Sequence, residues 1–243
     1  GSIMFTLDLR TRDAAAIPSC TPPREAFQRV QLHTIAAQDN LAHGSKSAAQ
    51  PTGTELVHVV YQLRYRTYVL ELGLTSKYAD DVRATITDPM DATATHVIAT
   101  IGHEVVGCAR INLSRHGNIG SFDQLLGMQG RQEHPERTAV ITKFITRNDM
   151  RGAGIDRLIV DQIATTVCGH GVTSVFIDCR LALVNYYRRL GFVRSGDDFD
   201  HYETGRVTPM MVDLLDHDHL SRAHSPLFAN AAVRALRPEG PAR

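Results

Sequence analysis

The hydrophobic pattern changes period several times along the chain, and each change marks an element. In TGTELVHVVYQLRYRTYVLELGL (52–74), Leu56, Val60, Leu63, Thr67 and Leu70 recur at helical spacing, with Thr54 placed to cap the helix. A second stripe, Val57, Tyr61, Arg64 and Tyr68, runs beside it. That face, with rings and a fixed cation, either lines a site or pairs Arg64 with a structural carboxylate. THVIATIGHEVVGCARINL (95–113) is two β-rich runs about Gly102-His103, which predicts a hairpin. AVITKFIT (139–146) reads as a buried strand. GIDRLIVDQIATTVCGHG (154–171) returns to helical spacing through Ile155, Leu158, Ile159, Ile163 and Val167, and Gly169 and Gly171 stop it. TSVFIDC (173–179) is a strand, LALVNYYRRL (181–190) a short helix closed by Gly191, RVTPMMVDLL (206–215) a last strand, and the tail after it a final helix. Helices interleaved with strands predict an α/β layer structure around one mixed sheet.

Residues 1–52 differ. MFTLDLRTR alternates like a short strand, but the following segments are rich in Ala, Ser, Pro and Gly. They read as an arm or partly ordered extension, and one that covers a substrate cleft is an equal reading. The expected division is therefore an arm at 1–52, a folded domain at 53–216 and a helical tail at 217–243.

Composition narrows the class. A chain of 243 residues is long enough for a sizeable core. Lys plus Arg and Asp plus Glu are 26 each, so no bulk charge points to nucleic acid, and any charged partner must meet a local patch. Cys20, Cys108, Cys168 and Cys179 have no paired spacing, which argues against a zinc knuckle or disulfide framework and for reduced thiols in the cytoplasm. The HDH at 217–219 is too little for a metal site, so no metal is expected. No run is long enough to span a membrane, and the opening GSIM reads as a tag remnant with no signal peptide.

ITRNDMRGAGIDRL (145–158) carries the chemistry. A strand, a tight turn and a helix start leave N–H groups unpaired at the positive end of a helix, which favours a phosphate. Gly152 and Gly154 let a ligand approach the backbone, and Arg151 adds charge. A plain strand-to-helix turn has the same look, so the loop alone leaves both readings open.

Together with NYYRRLGF (185–192), the loop resembles the GCN5-related N-acetyltransferase (GNAT) superfamily, which has R/Q-x-x-G-x-G/A at such a turn and an N-x-x-x-F-Y-x-x-x-G-F-like helix end further on. Arg151, Gly154, Asn185, Tyr187, Gly191 and Phe192 carry the likeness. It implies a mixed central sheet with splayed strands, flanked by helices. It also implies that a pantetheine thioester, acyl-CoA or acyl-phosphopantetheine, lies against Ile145, Arg151, Gly152, Ala153, Gly154, Ile155, Asp156 and Asn185. Tyr187 would protonate the departing thiolate. Asp156 departs from the family's small residue and competes with phosphate for the same N–H groups, which favours the single phosphodiester of an acyl carrier protein over coenzyme A.

Upstream, LRYRTYVLELGL, DPMDATATHVIAT and GHEVVGCARINL resemble the N-acyl amino acid synthases and the acyl-homoserine-lactone synthases. The resemblance implies an acceptor site from Arg64, Tyr68, Asp88, Asp91, Arg110, Lys143 and Phe144, with Gly107 on the same strand as Arg110. Those relatives often place a glutamate where this chain has Val140, so the base must come from elsewhere. Glu136, with Glu133 beside it, and His96 are the candidates, with Asp88 and Asp91 behind them. Arg147, Arg151, Arg157, Arg188 and Arg189 gather near the expected donor edge, a patch that either steers an acidic carrier protein or is a solvated face.

The reading is an N-acyltransferase that moves a medium or long acyl group from such a donor to a primary amine of an amino acid, peptide or small metabolite. The amine attacks directly, since Cys108 and Cys179 sit in apparent strands where thiols are inert. The alternatives are a homoserine-lactone-type signal synthase, an ordinary acetyl-CoA-dependent acetyltransferase, and a non-catalytic thioester-binding module.

Overall fold

The computed structural model describes residues 29–37 and 51–238. The strand expected at 4–12 and most of the arm lie outside them. Within the arm, VQLHTIA forms β1 (Val30–Ala36), an edge strand antiparallel to β4 (Thr95–Ile101). β5 (Glu104–Leu113) follows β4 through the hairpin at Gly102, whose φ of +59° suits glycine. β6 (Thr138–Thr146), β7 (Ser174–Arg180), β8 (Val193–Arg194), β9 (Phe199–His201) and β10 (Gly205–Asp213) complete a sheet in the order β1-β4-β5-β6-β7-β10-β8, with β9 also on β10. Two short strands, β2 (Ala79–Asp80) and β3 (Thr85–Ile86), pair separately.

All pairings in the large sheet are antiparallel except β6 with β7. That parallel pairing runs from Thr138↔Ser174 to Val140↔Phe176 and stops, although both strands continue. The expected splay is therefore present, at this junction.

Helix α1 (Gly53–Tyr65) starts at a capping box two residues earlier than the sequence suggests. Thr52, not Thr54, is the cap: its Oγ1 accepts from the Glu55 N–H at 3.3 Å, and its own N–H donates to Glu55 Oε2 at 2.7 Å. A glutamate three residues on selects Thr52. The helix then widens into a π-turn over Arg66–Glu71, with Leu72 N donating to Thr67 O across five residues. The added residue per turn rotates the stripe, so Leu70, expected inside, is 68% exposed, while Tyr68 is buried.

After the short α2 (Phe122–Leu125), α3 (Ile155–Gly169) lays Ile155, Ile159, Ile163 and Val167 on one face of the sheet. Gly107 on β5 lets it come close: a Cβ there would sit 2.8 Å from Ile159 Cδ1 and 3.0 Å from Ile145 O. The helix ends in a Schellman turn, with Val172 N donating to Val167 O and Gly171 N to Cys168 O. After α4 (Val184–Arg189), the tail forms α5 (His217–Arg222) and α6 (Ala231–Ala235) rather than one helix. His217 and His219 anchor it by hydrogen bonds to Val233 O and Gly191 O.

Candidate active site

The two faces of the sheet differ in chemistry. Ile141, Val175 and Ile177 join the large core beneath α3, while Val140 and Phe176 face the other way, in a smaller cluster with Met90 and Met211. On this second face a polar row crosses four strands. Register sets His96 on β4 opposite Arg110 on β5, and Arg110 opposite Thr142 on β6. Thr142 and Asp178 each lie two residues beyond the last parallel pair, Val140↔Phe176. The row thus ends at the mouth of the splay.

Four charged residues picked from the sequence meet at one end of this row, as partners of one another. Arg64 Nη1 donates to both oxygens of Asp91 at 3.0 Å. Arg110 donates to Asp88 Oδ1 at 2.6 Å, to Asp91 Oδ1 at 3.0 Å and to Thr142 Oγ1 at 2.9 Å. Both guanidiniums are fully buried. Burial pushes the Asp91 carboxyl up, but Arg64 and Arg110 outweigh it and hold the group well below the usual range; Arg110 does the same for Asp88.

His96 is drawn into this group, with Nδ1 3.5 Å from Arg64 Nη2 and its ring edge-on to Tyr61. Burial, with Arg64 adding to it, pushes its pKa down to about 3. Such a ring is too weak a base to collect a proton near neutrality, which counts against the catalytic reading of His96. A His whose folded pKa lies below its ordinary ~6.5 favours folding above that pH and loses the contribution as pH falls toward 3. His201, lowered to about 4 by burial, acts in the same direction. Chemical denaturation at pH 7 and pH 4.5 should find the protein less stable at the lower pH, and His96→Gln should flatten the slope.

The middle of the row is Lys143. β5 and β6 slip register here: Arg110↔Thr142 is followed by Cys108↔Ile145, so β6 carries one extra residue. Lys143 sits on this bulge with φ +53°. Its Nζ lies over the Tyr68 ring at 4.9 Å and 3.6 Å from Glu203 Oε2, and burial pushes its pKa down to about 8 against the pull of Glu203. Glu203 also accepts from Ser76 Oγ. Phe144, the next residue, turns into the apolar core and away from this face.

At the splay itself stands a group that sequence reasoning passed over. Asp178 on β7 is fully buried, and neither carboxylate oxygen has a hydrogen-bond partner among the described residues. A lone acid inside an apolar strand was the available signal.

The strand-to-helix turn expected between β6 and α3 is present. Gly152 and Gly154 take φ of +79° and +84°, and Gly154 caps α3 with no side chain serving its first turn. Asp156 does not occupy those N–H groups, because its carboxylate accepts from Tyr186 OH at 3.0 Å. Arg151 is engaged elsewhere: it donates to Glu71, to Asn148 Oδ1 at 3.0 Å and to Thr146 O at 3.3 Å, which ties the loop to the π-turn. Ile145 and Ile155 are buried, Ala153 is half-buried and Asn185 is exposed on α4. Tyr187 is fully buried, edge-on to Tyr186 and Phe192. Glu136 is not brought here. It is exposed just before β6, at the end of the sheet where the strands still pair. Of the arginine patch, Arg147 is tied to Glu104 and Asp149, while Arg157, Arg188 and Arg189 are exposed. Burial holds the Cys108 and Cys179 thiols up at about 12, so neither is a ready nucleophile.

The family model for the N-acyl amino acid synthase FeeM matches residues 59–213, which takes in the polar row, the splay, the loop and the 201–204 turn. The chain belongs to the FeeM family. As a FeeM-family protein it is an N-acyltransferase that uses an acyl thioester donor. Solved structures share its fold at low identity. A CoA-dependent acyl-homoserine lactone synthase, BjaI, solved with SAM and isopentyl-CoA, aligns at 14% identity with a TM-score of 0.62, over 85% of this chain and 100% of that one. The CoA-dependent acyl-homoserine lactone synthase MesI aligns at 16% identity with a TM-score of 0.59, over 80% and 93%. Escherichia coli ElaA aligns at 16% identity with a TM-score of 0.51, over 76% and 99%. No curated protein sequence matches the chain. Among the described residues no helix of this FeeM-family protein is long and apolar enough to cross a membrane, and no cluster of His, Cys, Asp and Glu is arranged to hold a metal.

Proposed function

We propose that the protein transfers a medium or long acyl group from acyl-phosphopantetheine, on a carrier protein or coenzyme A, to the primary amine of an amino acid or similar small metabolite in the cytoplasm. The observation that carries this reading is the end of β6–β7 pairing at Val140 and Phe176, three residues before Lys143 and two before Asp178. Main-chain groups of β6 beyond Val140 can then pair with an extended pantetheine arm in place of β7. The open first turn of α3 takes the phosphate. Exposed Arg157, Arg188 and Arg189 support an acidic carrier protein as the donor.

In this mechanism the amine attacks the thioester carbonyl directly. N–H groups of the parted strand polarise the carbonyl, the two reactants are held together, and Tyr187 on α4 gives a proton to the leaving sulfur. Arg64, Asp88, Asp91 and Arg110 have their charges met by one another, so they shape the acceptor face rather than bind its charge. Incubation with octanoyl-CoA or an octanoyl carrier protein and pooled amines, followed by mass analysis, tests the reading: an amide product carries it, and donor retention without product leaves a binding module. Tyr187→Phe should lower kcat by ~100-fold while the donor KM changes little, in line with the loss of a general acid. Unchanged kcat would remove Tyr187 from the chemistry.

A further inference from the structure

Every other acid on the polar face is engaged. Asp88 and Asp91 accept from Arg110 and Arg64, and Glu203 meets Ser76 and Lys143. Asp178 alone is fully buried with both oxygens unpartnered among the described residues. Burying a carboxylate without hydrogen bonds is costly, so a position that keeps one needs a reason. The place supplies it. Asp178 shares the face of Phe176, two residues earlier on the same strand, and is level with Thr142 where β6 and β7 have parted. β6 itself offers Val140, Thr142 and Lys143 there, and no acid.

We propose that Asp178 is the general base that takes the proton from the attacking amine. This rests on the acyltransfer reading and adds a catalytic group to it. In the step, the amine nitrogen forms the bond to the thioester carbonyl carbon and its proton passes to a carboxylate oxygen of Asp178. The carbon–sulfur bond breaks, and the thiolate receives a proton from Tyr187. Asp178 then returns its proton to the tyrosinate through solvent, so amine and thioester become amide and thiol with no other reagent.

The surroundings suit the task. Burial pushes the Asp178 carboxyl up to about 7, the range in which a base both accepts and releases a proton at neutral pH. The charged groups acting on it oppose one another: Lys143 from β6 pulls the value down, and Glu203 from the turn after β9 pushes it up. Its neighbour on β10 is Pro209, which brings no charge, and Arg110 on β5 is taken up by Asp88 and Asp91. Glu203 acts on it from the 201–204 turn, where Glu203 is 9% and Tyr202 53% exposed.

The test compares wild type with Asp178→Asn, using octanoyl-CoA and a pool of the common amino acids. For the wild type, kcat/KM for the amine should fall on acidification with a limb near pH 7. The variant should lose ~100-fold or more in turnover and lose that limb, with donor KM unchanged within about threefold. Its melting temperature at pH 8 should match or exceed the wild type, because an amide removes the buried charge. Turnover within about threefold of wild type, a wild-type profile without the limb, or a variant that melts lower and loses donor binding as well would each overturn the assignment. If the wild type acylates no amine at all, the acyltransfer reading falls with it; if wild type and variant both do, only the base is misassigned.

Discussion

Asp91→Ala should cost the fold ~3–5 kcal/mol, the range for removing one partner from a buried ion pair, and that is a large part of the ~5–15 kcal/mol available to a domain. The carboxylate accepts from Arg64 through both oxygens, from Arg110, and from the Asp88 N–H. Without it, two fully buried guanidiniums share one remaining acid, and Arg64 Nε already has no acceptor among the described residues. Urea denaturation at neutral pH checks the size. The decisive comparison is Arg64→Met with Asp91→Leu in one chain, which should be markedly more stable than Asp91→Ala, because an apolar pair leaves no charge stranded. If Asp91→Ala instead folds as well as wild type and only raises the acceptor KM, the group binds substrate and the structural account of it is wrong.

Gly154→Glu should raise the donor KM by at least about tenfold, a loss of ~1.4 kcal/mol in binding. Two effects combine. The backbone at φ +84° is one that side chains resist, and a carboxylate at the cap offers the first-turn N–H groups an acceptor of their own. Gly154→Ala is the control, since it carries the strain without the charge. If the alanine variant matches the glutamate variant, loop shape rather than anion binding sets the effect. If neither shifts the donor KM, the phosphate does not lie at the start of α3.

Much of this site could be read before folding was known. Arg64, Asp88, Asp91 and Arg110 stood out through the resemblance to the N-acyl amino acid synthases, and Arg64 also as a cation that could pair with a structural carboxylate; the four charges meet in each other. The loop at Gly152 and Gly154 was legible only together with NYYRRLGF, because a strand-to-helix turn with two glycines is common and by itself leaves its use open. Other features had no local signal. β1 lies among Ala- and Ser-rich segments, and only the open edge of β4 makes it a strand. The π-turn that exposes Leu70 depends on how α1 meets its surroundings, and periodicity assumes a constant pitch. Asp178 was hidden for a related reason. In sequence it is one polar letter in an apolar strand, and its isolation arises only because β6 leaves β7 two residues earlier.

That departure divides the sheet unevenly. β1, β4, β5 and β6 form one continuous antiparallel ribbon, and β7, β10, β8 and β9 another. Among the described residues the two ribbons share strand pairing only in the rungs from Thr138↔Ser174 to Val140↔Phe176, with α3 bridging one side and the Lys143–Glu203 ion pair the other. A pantetheine arm seated between them would act as a surrogate strand and splice the halves into one sheet. Occupancy and folding would then be a single linked equilibrium, worth ~2.7 kcal/mol of added stability at a hundredfold excess over Kd. A cell rich in acyl thioesters would hold a stiffer molecule than a starved one.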